Sequence, residues 1–133
     1  MKTLIAEDDF ISRFVLQKML SEYGPCDVAI NGKEAVDAFT WALNEGSPYN
    51  LICLDIMMPE MDGNEALKII RQKEKENGIL PANEASIIMI TALDTPKDVI
   101  EAYYKGGCTS YFVKPINKIK IIDELKSLNL VKL

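Results

Sequence analysis

Four apolar runs in this sequence each end on a group able to do chemistry. Thr3-Leu4-Ile5-Ala6 ends on Glu7, Asp8 and Asp9, and Leu51-Ile52-Cys53-Leu54 ends on Asp55. The run from Ser86 to Ile90 ends on Thr91, and Tyr111-Phe112-Val113 ends on Lys114. A bare carboxylate at the end of a buried strand is costly unless something compensates it. Adjacent acids that face another carboxylate repel one another, which raises their pKa values or recruits a cation. A hard divalent ion such as Mg2+ suits such a group, because it takes oxygen ligands and commonly binds through one or two carboxylates, water and phosphate. Lys114 supplies a fixed positive charge and Thr91 a hydroxyl donor, and together they suit the oxygens of a phosphoryl group on Asp55. A carboxylate is an accepted nucleophile for forming an aspartyl phosphate, and such transfer depends chiefly on positioning and charge neutralisation.

These groups converge only if the elements between them bring the strand ends together. Strands are expected at Lys2 to Ala6, Asp27 to Ile30, Leu51 to Leu54, Ser86 to Ile90 and Tyr111 to Val113. Helical periodicity covers Ser12 to Glu22, with Phe14, Val15, Met19 and Leu20 on one face, and the stretch from Asn31-Gly32 to about Leu43. Further helices run from Asn64 to about Lys75, from Thr95-Pro96 to Gly106-Gly107, and from Asn117 to Leu128. Thr95 reads as an N-cap and Pro96 as the first helical residue. Five almost wholly apolar strands alternating with five helices predict a doubly wound α/β domain, a parallel sheet covered on both faces. In such folds, ligands bind outside the carboxyl ends of the strands, where the reactive groups lie.

Composition narrows the function. At 133 residues, 48% hydrophobic and 26% charged, the chain is expected to form a single domain over 1–133. Its formal net charge of −5, with basic residues scattered among acids, argues against nucleic-acid binding. No secretory signal and no membrane span is read in it. Cys26, Cys53 and Cys108 are widely spaced and odd in number, which suggests reduced packing thiols in a cytoplasmic protein. The absence of histidine removes Ser-His-Asp and Cys-His catalysis. Trp41 and the Met57, Met58, Met61 cluster are expected to pack in the core.

The sequence resembles the receiver domains of two-component response regulators over essentially its whole length, most closely the single-domain kind used in chemotaxis. The matching stretches are Leu4 to Asp9, Leu54-Asp55-Ile56-Met57-Met58-Pro59-Glu60-Met61-Asp62-Gly63, Ile90-Thr91-Ala92 and Val113-Lys114-Pro115. The resemblance implies a flavodoxin-like five-stranded sheet of order 2-1-3-4-5 and Asp55 as phosphoacceptor. By it, Glu7 and Asp8 form the acidic pair, with Asp8 the direct ligand and Asp9 outside, a register fixed by Arg13. The backbone carbonyl of Met57 looks like a further Mg2+ ligand. Thr91 and Lys114 are similar to the family's switch hydroxyl and phosphate-binding lysine, and Tyr111 resembles its aromatic switch residue.

The implied function is a phosphorylation switch that is not a conventional enzyme and catalyses only its own phosphorylation and dephosphorylation. Its expected partners are a histidine kinase or phosphotransfer protein and a downstream protein target. That target would be read through the fourth helix, fifth strand and fifth helix, since no effector region follows before Leu133. A phosphatase of the haloacid-dehalogenase type also uses a strand-end aspartate and Mg2+, but normally has a second aspartate where this chain has Met57. Two departures from the family's commonest form stand out. Residues 72 to 86 are a long segment expected to form an extended helix and a surface loop. Met57 and Leu93 are apolar at positions that often carry polar residues.

Overall fold

Runs such as Leu4-Ile5-Ala6 and Ile87-Ile88-Met89-Ile90 have no polar face to offer water, so each strand must be covered on both sides. The computed structural model, which describes residues 1–132, meets that demand with a central sheet. The strands are β1 (Thr3–Ala6), β2 (Cys26–Ala29), β3 (Leu51–Leu54), β4 (Ser86–Thr91) and β5 (Ser110–Val113). The helices are α1 (Phe10–Leu20), α2 (Gly32–Asn44), α3 (Gly63–Glu76), α4 (Pro96–Ile100) and α5 (Lys118–Ser127). All strand pairs are parallel, in the expected order β2-β1-β3-β4-β5. Leu133, the last residue of the expected domain, lies outside the described residues.

Alternate strand residues divide between two cores. Leu4, Ile52, Leu54, Ile87 and Met89 pack with Phe39 of α2 and with Leu67 and Ile70 of α3. Ile5, Leu51, Cys53, Ile88 and Ile90 pack on the opposite face with Leu16 and Leu20 of α1 and Ile121 and Leu125 of α5. Side-chain caps lie at two of the expected helix starts: Asn31 accepts from the Glu34 N–H at 2.8 Å and Asn117 from that of Lys120 at 3.0 Å. Thr95 caps α4 with Pro96 in the first turn, as expected, but the α-helical hydrogen bonding stops at Ile100. A π-helical stretch, Glu101–Gly106, continues to Gly107, whose φ of 78° suits glycine.

Several expectations are corrected. Helix α1 begins at Phe10 rather than Ser12, because the Asp9 carboxylate accepts the Ser12 N–H at 3.0 Å and starts the helix there. Its buried face is Leu16, Met19 and Leu20, while Phe14 is 54% and Val15 43% exposed. Apolar residues lie on both sides of α1, so its periodicity admitted two faces. Trp41 is 70% exposed on α2, and Met57 is 58% exposed, so neither packs in the core. Met58 and Met61 do pack there. Cys53 and Cys108 are buried and all three cysteines are free; burial pushes the Cys53 thiol up to about 12 and that of Cys108 up to about 11.

The 72–86 segment forms the last turn of α3, a loop and a short 3-10 turn at Pro81–Asn83. It is tied down by a pair the sequence did not advertise. Glu74, 1% exposed, accepts from the Arg71 guanidinium at 2.7 Å and from the Ala85 N–H at 2.8 Å. Arg71 also donates to the carbonyls of Ala85 at 2.8 Å and Gly107 at 2.9 Å. Removing one partner of such a pair strands a buried charge. Arg71→Ala is therefore expected to destabilise the fold by about 3–5 kcal/mol. Arg71→Met combined with Glu74→Met should recover most of that loss in urea denaturation, since the pair is replaced by apolar groups of similar volume.

Candidate functional site

The parallel register carries the ends of β1, β3, β4 and β5 to one edge of the sheet, and the groups singled out in the sequence gather there. Glu7 and Asp55 are 1% and 6% exposed, Asp8 is exposed, and carboxylate oxygens of all three lie within 4.8 Å of one another. The Lys114 ammonium donates to Asp55 Oδ2 at 2.8 Å and also to Glu7 Oε1, joining three strands through one cation. Thr91 is fully buried at the end of β4. The Met57 N–H donates to Asp55 Oδ1 at 3.1 Å, which holds the backbone of residue 57 at the cluster.

The electrostatics follow from this packing. Burial pushes Glu7 up to about 7, and the negative charge of Asp55 adds to the rise while Lys114 opposes it. Burial acts the same way on Asp55, but hydrogen bonds from Lys114, Glu7, Thr91 and the Met57 N–H outweigh it and hold this carboxyl below its ordinary value. Burial alone would lower Lys114; its two carboxylate partners raise it instead, so it stays charged. Asp55 is thus the ionised member and Glu7 the member that holds a proton most readily. Three carboxylates facing one ammonium fit a hard divalent cation: the donors are all oxygen, and the charge is left short of balance.

Asp9 stands apart from this cluster, as its capping of α1 shows. Arg13, which the sequence uses to fix the acidic register, donates to the backbone carbonyls of Glu7 at 2.9 Å and Asp8 at 3.4 Å and so braces the β1–α1 turn. Tyr111 is half-buried rather than fully core, and its hydroxyl donates to the Leu93 carbonyl at 2.7 Å, linking β5 to the loop after β4. That partner is not legible from residue types, because a main-chain acceptor leaves none to recognise. Gly63 opens α3 directly against the end of β3: a Cβ there would lie 2.1 Å from the Asp55 carbonyl oxygen, so only glycine fits the close approach. The Lys114–Pro115 peptide is cis.

A family model described as the response regulator receiver domain matches residues 3–126. Two-component response regulator 24 of Arabidopsis thaliana is 33% identical over 127 residues, which cover 95% of this chain and 82% of that protein. Several other curated relatives are much longer histidine kinases, of which this chain spans 6% to 15% of the length. Among solved structures, the CheX–CheY–BeF3–Mg2+ complex from Borrelia burgdorferi matches with a TM-score of 0.82 and 28% identity, over 99% of this chain and 90% of that one. The complex of the Saccharomyces cerevisiae histidine phosphotransfer protein Ypd1 with the receiver domain of Ssk1 matches with a TM-score of 0.82 and 28% identity, over 99% of this chain and 92% of that one.

A cation entering this cluster competes with the proton on Glu7. Because burial raises Glu7 toward neutral pH, Mg2+ is expected to release a fraction of a proton per ion near neutral pH and to bind more tightly as pH rises. Calorimetry in buffers of differing protonation enthalpy reads both. Asp8→Ala should weaken Mg2+ by about tenfold or more, whereas Asp9→Ala should leave Mg2+ affinity unchanged and lower only thermal stability; equal losses from both would place the acidic pair in the other register.

Proposed function

This chain belongs to the response regulator receiver domain family, and from that membership we propose that it is a phosphoacceptor switch in which Asp55 takes a phosphoryl group from a partner phosphohistidine. The observation that carries this reading is the convergence of Lys114, Thr91 and the Met57 N–H on one buried carboxylate held ionised at the end of β3. An Asp55 oxygen forms a bond to phosphorus as the phosphorus–nitrogen bond to the donor imidazole breaks, and the imidazole leaves with the proton it acquires. Lys114, already hydrogen-bonded to Asp55, holds an oxygen of the transferred group, and the Thr91 hydroxyl donates to another. Glu7, Asp8 and Asp55, whose carboxylate oxygens cluster, would hold Mg2+ together with the Met57 carbonyl, and the ion when bound would supply positive charge to offset the carboxylate and the incoming phosphoryl group.

The chemistry is confined to this self-modification, with one receiver domain over 1–133 acting as the unit. The free thiols fit a reducing, cytoplasmic setting. The exposed apolar face of α1, with Phe10 67% and Ile11 69% exposed, begins directly after Asp8 and Asp9 and suits a partner helix that carries the phosphohistidine. No helix among the described residues is long and apolar enough to cross a membrane. Output runs through α4 and the π-helical stretch that continues it, β5 and α5, where Ile100, Tyr103 and Ile119 are exposed and Leu93 bonds both Tyr111 and Thr91.

Intact-mass measurement after incubation with acetyl phosphate and Mg2+ is the direct test. Wild type should gain one phosphate; Asp55→Asn should gain none while remaining folded, because Lys114 keeps Glu7 as a partner. An adduct persisting on the mutant would move the acceptor elsewhere.

The lifetime of that adduct is set by access of water in line with the phosphorus. Met57 and Leu93 occupy matched positions: the N–H of Met57 bonds the Asp55 carboxylate, and that of Leu93 bonds the Thr91 hydroxyl at 3.4 Å. Both side chains are apolar, so neither orients water and both hinder its approach. The phosphorylated state should be long-lived. Met57→Asn with Leu93→Glu should speed loss of phosphate by about tenfold or more with little change in Mg2+ affinity, since the ligand at 57 is backbone; an equal or slower loss would refute water exclusion.

A further inference from the structure

Six methionines are present, and they divide sharply by environment. Met19, Met58 and Met89 are 5%, 9% and 0% exposed, and Met1 and Met61 pack against the two cores. Met57, at 58%, is the exposed one among the described residues, and it is also the one whose backbone is pinned to Asp55. The other sulfurs that compete for an oxidant are poorly placed: Cys53 and Cys108 are buried, and burial raises all three thiols, so they stay protonated and weakly nucleophilic.

We propose that Met57 is a site of reversible sulfur oxidation, and that its sulfoxide shortens the life of the phosphorylated state. This rests on the phosphoacceptor reading of Asp55. The oxidant is a peroxide. The thioether sulfur attacks one peroxide oxygen, the O–O bond breaks, an S–O bond forms, and water leaves when the oxidant is hydrogen peroxide. Sulfur loses two electrons and the peroxide gains them. A methionine sulfoxide reductase with a thiol donor reverses the step. The product replaces an apolar thioether with a strong hydrogen-bond acceptor on the exposed side chain of the residue whose N–H bonds the Asp55 carboxylate, which offers water near that carboxylate a partner where it had none. Because the Met57 side chain lies outside both cores, the fold has no packing to lose, in contrast to oxidation at Met58 or Met61.

The test uses the whole chain and hydrogen peroxide. Peptide mapping should find the first added oxygen on Met57. Intact-mass measurement after acetyl phosphate and Mg2+ should then show the phosphate lost roughly two- to tenfold faster from the oxidised protein, the effect of about one hydrogen bond. Reductase treatment should restore the original lifetime, and Met57→Leu should lose phosphate at one rate before and after peroxide. A first oxygen on Met61 or Met1, an unchanged or lengthened lifetime, or a peroxide effect that survives in Met57→Leu would each overturn the proposal. Failure of the unoxidised protein to take phosphate would instead refute the switch reading, while the peptide map would still decide whether Met57 is the modified sulfur.

Discussion

One ammonium group holds the working end of this molecule together. Lys114 reaches from the end of β5 to carboxylates at the ends of β1 and β3, partners 107 and 59 residues away in the chain. Two buried acids side by side repel one another, and only a shared cation or a proton makes their approach tolerable. The sheet order meets that need, since β1 and β3 are neighbours and β5 lies at the edge, from which a long side chain can cross. The same arrangement separates the two acids chemically. Asp55 keeps its charge through four hydrogen-bonding neighbours, while Glu7, buried deeper and facing that charge, takes the proton.

The sheet fixes where these groups sit, and the turns fix how they point. Asp9 caps α1, Arg13 ties down the carbonyls before it, and Gly63 lets α3 start against the Asp55 carbonyl. Each is a backbone constraint placed within one turn of a reactive side chain. Tyr111 extends the same principle across the sheet edge: its hydroxyl bonds the carbonyl of Leu93, two residues beyond Thr91. The Leu93 N–H in turn donates to the Thr91 hydroxyl at 3.4 Å, so Thr91 and Tyr111 share one residue as a hydrogen-bonding partner.

Much of this was legible in the sequence, and the reasons are physical. Strand ends, caps and the charged residues beside them are coded locally, by residue types that have few other uses at the end of an apolar run. The gathering of Glu7, Asp8, Asp55, Thr91 and Lys114 at the strand ends followed from them, whereas the strand order came from the resemblance to receiver domains. The core faces were harder. Helix α1 carries apolar residues on two sides, so Phe14 and Val15 compete with Leu16 and Leu20 for the buried face, and only the sheet decides between them. Trp41 and Met57 look like core residues by type alone, yet both are exposed. Nothing local marks Glu74 as buried, because its partners are a side chain three residues earlier and a main-chain N–H on another element.

The Arg71–Glu74 pair has a consequence for how this fold tolerates change. It anchors the end of α3, the entry to β4 and the exit of the π-helical stretch at a single point, at the opposite end of the strands from the charge cluster. Residues 77–83 hang beyond that anchor, with open space around Gly78 and with Leu80 66% exposed. The loop is thus an attachment point, where a fluorophore or an inserted peptide can be carried without disturbing the reactive edge.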